Sequence, residues 1–417
     1  MFQTRFIPML LFAFLFSENY IGATATASFS ISDFGAVGNG QVLNTHAIQA
    51  TIDTCHACGG GTVVIPEGLF LSGAVFLKEG VNLFIEKGGT IKGTVNPDDY
   101  PQVFTRWEGV ECMWTSALIN VFDMNGFRLT GEGTVDGSGD QWMEKYPRGS
   151  RELKVGRPRL IALQNCSGCL VSGITLKNQA CWGLFILYSM EVIVENLTIR
   201  AEHNIISSDG IDIDSSKDIY ISGCDIDVND DCISIKSGKD EDGRRVNRPA
   251  EGILIEKCLF RYGHGGVAMG SEMSGGIRNV EIRNCRMEAG NWAPIRFKSQ
   301  PSRGGIVENI TYRDIILQNT EKAFEFNMEW RMRPPIKPPS DPLPVVRNIN
   351  IVNVSGTVQT VGDMHGLKDS PIDHVSFENC EIFAQTGFII ENVKDLDTSG
   401  LTIHVKEGEA IIYKNND

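Results

Sequence analysis

Histidine is scarce in this sequence, seven in 417 residues, and basic residues are outnumbered, 38 Lys and Arg against 52 Asp and Glu. The formal charge of −14 excludes a general nucleic-acid or anionic-membrane surface, so an anionic partner needs a local basic pocket. No apolar run approaches the roughly 20 residues that span a bilayer. The one apolar run, Ile7 to Phe16, follows Arg5 and precedes the small residues Ala23-Thr24-Ala25-Thr26-Ala27. That order is the pattern of a secretory leader, so residues 1-27 are set aside, and an exported, periplasmic or extracellular protein is expected with residues 28-417 as one domain. With 42% apolar and 22% charged residues, wholesale disorder is excluded and a large core is available.

The cysteines lack the arrangement of a disulfide framework. There are 11, an odd number scattered over a long chain, so at least one is expected to be free. Cys55/Cys58 and Cys166/Cys169 have C-x-x-C spacing, but they lie over a hundred residues apart with no matching histidine pair. A structural zinc is therefore not expected. An EF-hand loop, with its glycine and distal glutamate, is missing too. No metal and no cofactor are expected.

A repeat is present: an alternating apolar pair, two turn-tolerant positions, then another apolar residue. It runs through Leu170-Val-Ser-Gly-Ile174, Ile193-Val-Glu-Asn-Leu197, Tyr220-Ile-Ser-Gly-Cys224, Leu254-Ile-Glu-Lys-Cys258, Glu281-Ile-Arg-Asn-Cys285, Thr311-Tyr-Arg-Asp-Ile315, Asn350-Ile-Val-Asn-Val354 and Ser376-Phe-Glu-Asn-Cys380. Short strands recurring every 23 to 39 residues without amphipathic helices between them predict an all-β fold, a right-handed single-stranded parallel β-helix with insertions confined to loops. Cys224, Cys258, Cys285 and Cys380 occupy an aliphatic position and read as buried packing residues. The penultimate position holds Gly, Asn, Asp or Lys, mostly residues that tolerate a left-handed corner. Thr45-Cys55, with a helical stripe at Ala47, Ile48, Thr51 and Ile52, is the expected cap of the open N-terminal end. The stretch Pro334-Pro344 reads as a surface loop, because the repeat continues on both sides.

A second strand follows in four successive rungs, each ending in serine: Ser215, Ser237, Ser271 and Ser299. With serine as the register mark, Ile211/Ile213, Ile233/Ile235, Val267/Met269 and Ile295/Phe297 point inward. Asp209 and Asp231 become rung neighbours, with Asp230 beside them and His264 one rung on. Three crowded carboxylates cannot all ionise freely, so at least one should hold its proton at mild pH. Arg296 and Lys298 alternate outward on the same face with no acid in their own strand, and so are expected as unpaired cations for an anionic substrate. Asp212 and Asp214 also point outward, as solvent-facing residues or as partners of Lys236.

Ser208-Asp209-Gly210, Asp230-Asp231, Gly263-His264-Gly265 and Arg296-Phe297-Lys298, in that order, resemble the four signatures of glycoside hydrolase family 28, the polygalacturonase family. Asp33-Phe-Gly-Ala-Val-Gly-Asn-Gly40 and Gly133-Thr-Val-Asp-Gly137 are similar to the family as well. The resemblance implies hydrolysis of α-galacturonosyl bonds in pectin with inversion. It implies Asp230 as general acid, Asp209 and Asp231 as the pair activating water, His264 as support, and Arg296 and Lys298 as substrate-binding groups. The chain departs from the usual pattern with Ser207-Ser208 where Asn-Thr is common and with Phe297 where isoleucine is usual. The insert Ser237 to Arg248 looks like the longer loop of exo-acting members, favouring release of terminal galacturonate. A rhamnogalacturonan-directed hydrolase, a calcium-dependent pectate lyase and a non-catalytic polysaccharide-binding β-helix stand as alternatives. The expected partner is a galacturonate-containing polysaccharide or oligosaccharide, with no nucleic acid, no membrane and a monomeric protein.

Overall fold

The computed structural model describes residues 27-332 and 334-414. The leader expected at the N-terminus thus lies, but for Ala27, outside the described residues. The chain winds as a parallel β-helix with three strands per coil, and 31 strands join one sheet. The strand stack that matters for function runs through Val75–Phe76, Ile119–Phe122, Ile161–Gln164, Leu184–Leu187, Ile211–Asp214 and Ile233–Lys236. It continues through the ends of three long strands, Leu259–Met269, Ile277–Lys298 and Ile306–Asn327.

The repeat fixes the register. Val171, Val194, Ile221, Ile255, Ile282, Tyr312, Ile351 and Phe377 pair in that order, each directly above the last. All are buried, so a one-residue slip would turn a whole row of apolar side chains to water. The corner residues predicted beside them, including Asn196, Lys257, Asn284, Asp314 and Asn353, all have φ between 53° and 56°. Asn196 and Asn353, which also begin N-x-S/T triplets, are thereby corner residues. Side-chain amides stack between rungs there, Asn353 donating to Asp314 at 2.7 Å and Asn379 to Asn353 at 2.9 Å. Cys224, Cys258, Cys285 and Cys380 are buried, and none of the eleven cysteines is bonded to another.

The helix Thr45–Ala57 buries Ile48, Thr51, Ile52 and Cys55 and packs against the first coil, as expected of a cap. The proline-rich stretch is a loop between the paired strands Ile306–Asn327 and Val345–His365. Two elements have no trace in the repeat. One is an antiparallel hairpin, Gln102–Trp107 with Val110–Thr115, whose base is closed by Ser116 N–H donating to the Pro101 carbonyl at 3.1 Å. The other is the helix Asp240–Val246 within the insert. Lys239 N–H donates to Gly109 O at 2.9 Å, and Glu111 N–H to Asp242 Oδ1 at 3.2 Å, so helix and hairpin form one wall.

Candidate active site

Register places the acids. Ile211 pairs with Ile233, Ile233 with Val267, and Val267 with Ile295, the alignment the serines predict. The inward set is buried throughout. Two residues upstream on each strand, Asp209 and Asp231 therefore stand one rung apart, and Gly210 N–H donates to the Asp231 carbonyl at 3.0 Å. The glycines are explained by space: a Cβ on Gly210 would lie 2.4 Å from Cys232 O, and one on Gly265 2.7 Å from Asp231 Oδ1. Carboxylate oxygens of Asp209, Asp230 and Asp231 all fall within 4.8 Å of one another. His264 closes the cluster, its Nδ1 3.3 Å from Asp230 Oδ1.

The three acids differ in surroundings. Asp209 and Asp231 are buried, whereas the side chain of Asp230 is 26% exposed. Burial raises the Asp209 carboxyl well above the usual range, and the negative charges of Asp212 and Asp230 push it the same way. Burial also acts on Asp231, but Lys298 and Arg296 outweigh it and hold that carboxyl well below the usual range. In Asp230 the raising effect of burial is overcome by the hydrogen bond to His264, and its pKa falls. The expectation that one carboxyl of the crowd keeps its proton thus finds its group in Asp209.

One expectation is corrected. Arg296 and Lys298 are not unpaired: Lys298 Nζ lies 2.5 Å from Asp231 Oδ2, and Arg296 lies 3.2 Å from Asp231 and 2.5 Å from Glu325. Their own strand lacks an acid, as the sequence says, but rungs stack at about 4.8 Å and the partners come from the rungs alongside. Asp212 and Asp214 are likewise not solvent-facing. Both are fully buried, Asp214 2.7 Å from Arg106 of the hairpin and Asp212 3.5 Å from Lys236. Lys236 also reaches Glu272, at 3.4 Å. Neither oxygen of Asp212 accepts a hydrogen bond, and burial lifts its carboxyl to about 7. Ser208, at the position where the family pattern has threonine, is buried and accepts from Asn229 N–H at 3.2 Å.

The residues that the sequence did not mark are those brought in from outside the stack. Trp182 precedes Leu184 as Asp209 precedes Ile211, so it sits one rung before the acids. Trp107 of the hairpin stacks on Trp182 at 4.7 Å and on Trp114 at 4.4 Å. Arg159, buried, lies 4.1 Å from the Phe185 ring centroid and 4.8 Å from that of Trp182. The hairpin therefore crosses the stack one rung from Asp209.

A cation coordinated by the three aspartates would need free oxygens. Asp231 has both of its oxygens against Arg296 and Lys298, so the donor set is poor for calcium.

Comparison with known proteins agrees with this geometry. The chain is similar to a probable polygalacturonase of Vitis vinifera, 29% identical over 367 residues, covering 85% of this chain and 74% of that protein. It is 28% identical to an exo-poly-alpha-D-galacturonosidase of Dickeya chrysanthemi, of which it covers 58%. Among solved structures it resembles an exopolygalacturonase from Thermotoga maritima, with a TM-score of 0.79 and 28% identity, covering 91% of this chain and 92% of that one. The family model for glycosyl hydrolases family 28 matches residues 55–402, most of the chain, so this protein belongs to glycosyl hydrolases family 28.

Proposed function

We propose that the protein is an exo-acting polygalacturonase that releases terminal galacturonate from pectic polymers. The observation that carries this is the hairpin wall across the groove one rung from Asp209, where Trp107 stacks on Trp182. A wall beside the reactive groups would obstruct a chain running past them and leave room for a chain end. The similar Dickeya exo-poly-alpha-D-galacturonosidase and Thermotoga exopolygalacturonase are exo-acting by name, in support of the same reading. The leader-like residues 1-27 support export, and the unbroken stack of coils supports one catalytic domain.

In this mechanism Asp230, the one acid of the three with substantial exposure, protonates the departing glycosidic oxygen, and Asp209 and Asp231 position and activate water. His264 orients Asp230. Arg296 and Lys298 keep Asp231 ionised, and their remaining N–H donors meet a uronate carboxylate at the sugar beyond the bond cut. The oxygens lie closer than the roughly 6.5–9.5 Å usual between the carboxyls of inverting enzymes. Inversion is nevertheless the outcome proposed, because Asp231, the acid beside Asp230 that its cations keep ionised, is buried and held by Arg296 and Lys298, which leaves it poorly placed to attack the sugar as the nucleophile that retention needs.

Burial and the charges of Asp212 and Asp230 favour the protonated form of Asp209, so in this reading the proton that Asp230 delivers is drawn from Asp209 when the anionic sugar binds. Two measurements test this. Product analysis on galacturonan should give monomer from the first minutes, and proton NMR of the first product should show the anomer opposite to the bond cut; early long fragments or the retained anomer would overturn the respective claim. Asp230→Asn should lose about 10³-fold or more on polymer yet recover on a substrate with a nitrophenolate leaving group, which needs no acid. Recovery in Asp209→Asn instead would exchange the two roles.

A further inference from the structure

The cations around the acid patch are almost all paired with carboxylates: Arg106 with Asp214, Lys236 with Asp212 and Glu272, Arg296 and Lys298 with Asp231, Arg303 with Asp240. A cation already neutralised offers a weak welcome to an anionic sugar. Arg157 differs. Among the described residues it has no carboxylate partner; its Nη1 donates to Met143 Sδ at 2.6 Å and its Nη2 to the Ile206 carbonyl at 2.9 Å.

Arg157 lines a cavity of about 200 Å³ together with Trp107, Trp114, Tyr146, Arg148 and Cys181. That is smaller than the roughly 300–1,000 Å³ of pockets for drug-sized ligands and suits a single sugar ring. The cavity adjoins the acids. Cys181 stands one rung before Ser208, its Sγ donates to the Arg157 carbonyl at 3.3 Å, and Ile206, three residues ahead of Asp209, forms another part of the lining. The stacked pair Trp107 and Trp114 stands in its wall, and the Trp114 indole N–H is buried with no acceptor among the described residues. Arg148, also in the lining, forms no ion pair among the described residues.

We propose that this cavity is the subsite for the terminal uronate, with the Arg157 guanidinium holding its carboxylate and Arg148 adding positive charge. The proposal rests on the exo-polygalacturonase reading and adds to it the groups that select an acidic over a neutral sugar at the chain end. It also explains a discrimination that Arg296 and Lys298, engaged with Asp231, are poorly placed to make alone.

The test crosses one change in the protein with one in the ligand. Galacturonate trimer and the same trimer with its terminal carboxyl methyl-esterified are titrated by calorimetry into the parent and into Arg157→Gln and Arg157→Lys, and KM and kcat are measured alongside. Loss of a charge-assisted contact should weaken trimer binding ~10- to 100-fold in Arg157→Gln, mainly in KM, with partial recovery in Arg157→Lys. The ester should cost the parent a similar factor, and should cost Arg157→Gln little more. Independent, multiplying losses would overturn the subsite, as would a parent indifferent to the ester, an outcome that does not depend on the folding of any variant. A parent that binds the trimer with this discrimination but releases no sugar would sink the hydrolase reading while sustaining the pocket.

Discussion

Asp209 and Asp231 are the same residue type, one rung apart on one face, both buried, yet one is driven to hold a proton and the other to give it up. The difference lies entirely in what each meets sideways. Asp231 faces the rungs that bring Lys298 and Arg296; Asp209 faces Asp212 and Asp230, with Lys236 divided between Asp212 and Glu272. Burial sets the size of the effect and neighbours set its sign, so a stacked coil can build an acid and a base from aligned copies of one side chain.

The sharpest way to break the comparison is to neutralise each member. Asp231→Asn should destroy turnover and, by leaving Lys298 a buried cation without its partner, destabilise the fold by about 3–5 kcal/mol in chemical denaturation. Unchanged stability would mean that the pair is not formed as described. Lys298→Ala comes next. Because Lys298 serves Asp231 first, the loss should fall on kcat, roughly 10- to 100-fold, with the acid limb of the pH profile moved to higher pH as the Asp231 carboxyl rises. An effect on KM alone would restore it to a purely substrate-binding role.

Smaller effects sharpen the Asp209 side. Asp212→Asn removes the negative charge that pushes Asp209 up, so the alkaline limb of kcat/KM should move down by roughly one unit. A limb that stays put would disconnect Asp212 from the reaction. Last, Asp209 binds its proton more tightly folded than unfolded. Its contribution therefore favours folding below the unfolded value of about 3.9 and declines as pH rises through the folded value. Asp209→Asn should then raise the melting temperature at pH 8 by about 2 °C while leaving pH 4 nearly unchanged. A lower melting temperature at pH 8 would contradict the assigned direction.

How much of this the bare sequence could tell depends on the direction in which contacts run. Rows such as Val171 to Phe377 were legible because each residue stacks on its own repeat copy, so spacing along the chain encodes spacing across it. The meeting of Asp209, Asp230, Asp231 and His264 followed from the same register. Partners outside the four serine-marked rungs were not legible: Glu325 stacks on Arg296 from the next rung, past the last serine of the alignment, and Arg106 reaches Asp214 from a hairpin with no periodic mark. The paired state of Arg296 and Lys298, and the burial of Asp212, thus escaped pattern reading, while Arg157, which has no carboxylate partner among the described residues, lay in a segment with no motif at all.

The hairpin at Gln102–Thr115 joins the coil through a single closed base between Pro101 and Ser116, and the rungs on either side pair without it, Val75–Phe76 directly with Ile119–Phe122. Bond-breaking chemistry and the choice of where along a polymer to cut are therefore carried by separable pieces of chain. On the exo-acting reading, exchanging the hairpin should move the place of cutting, at the cost of leaving the buried Asp214 without Arg106.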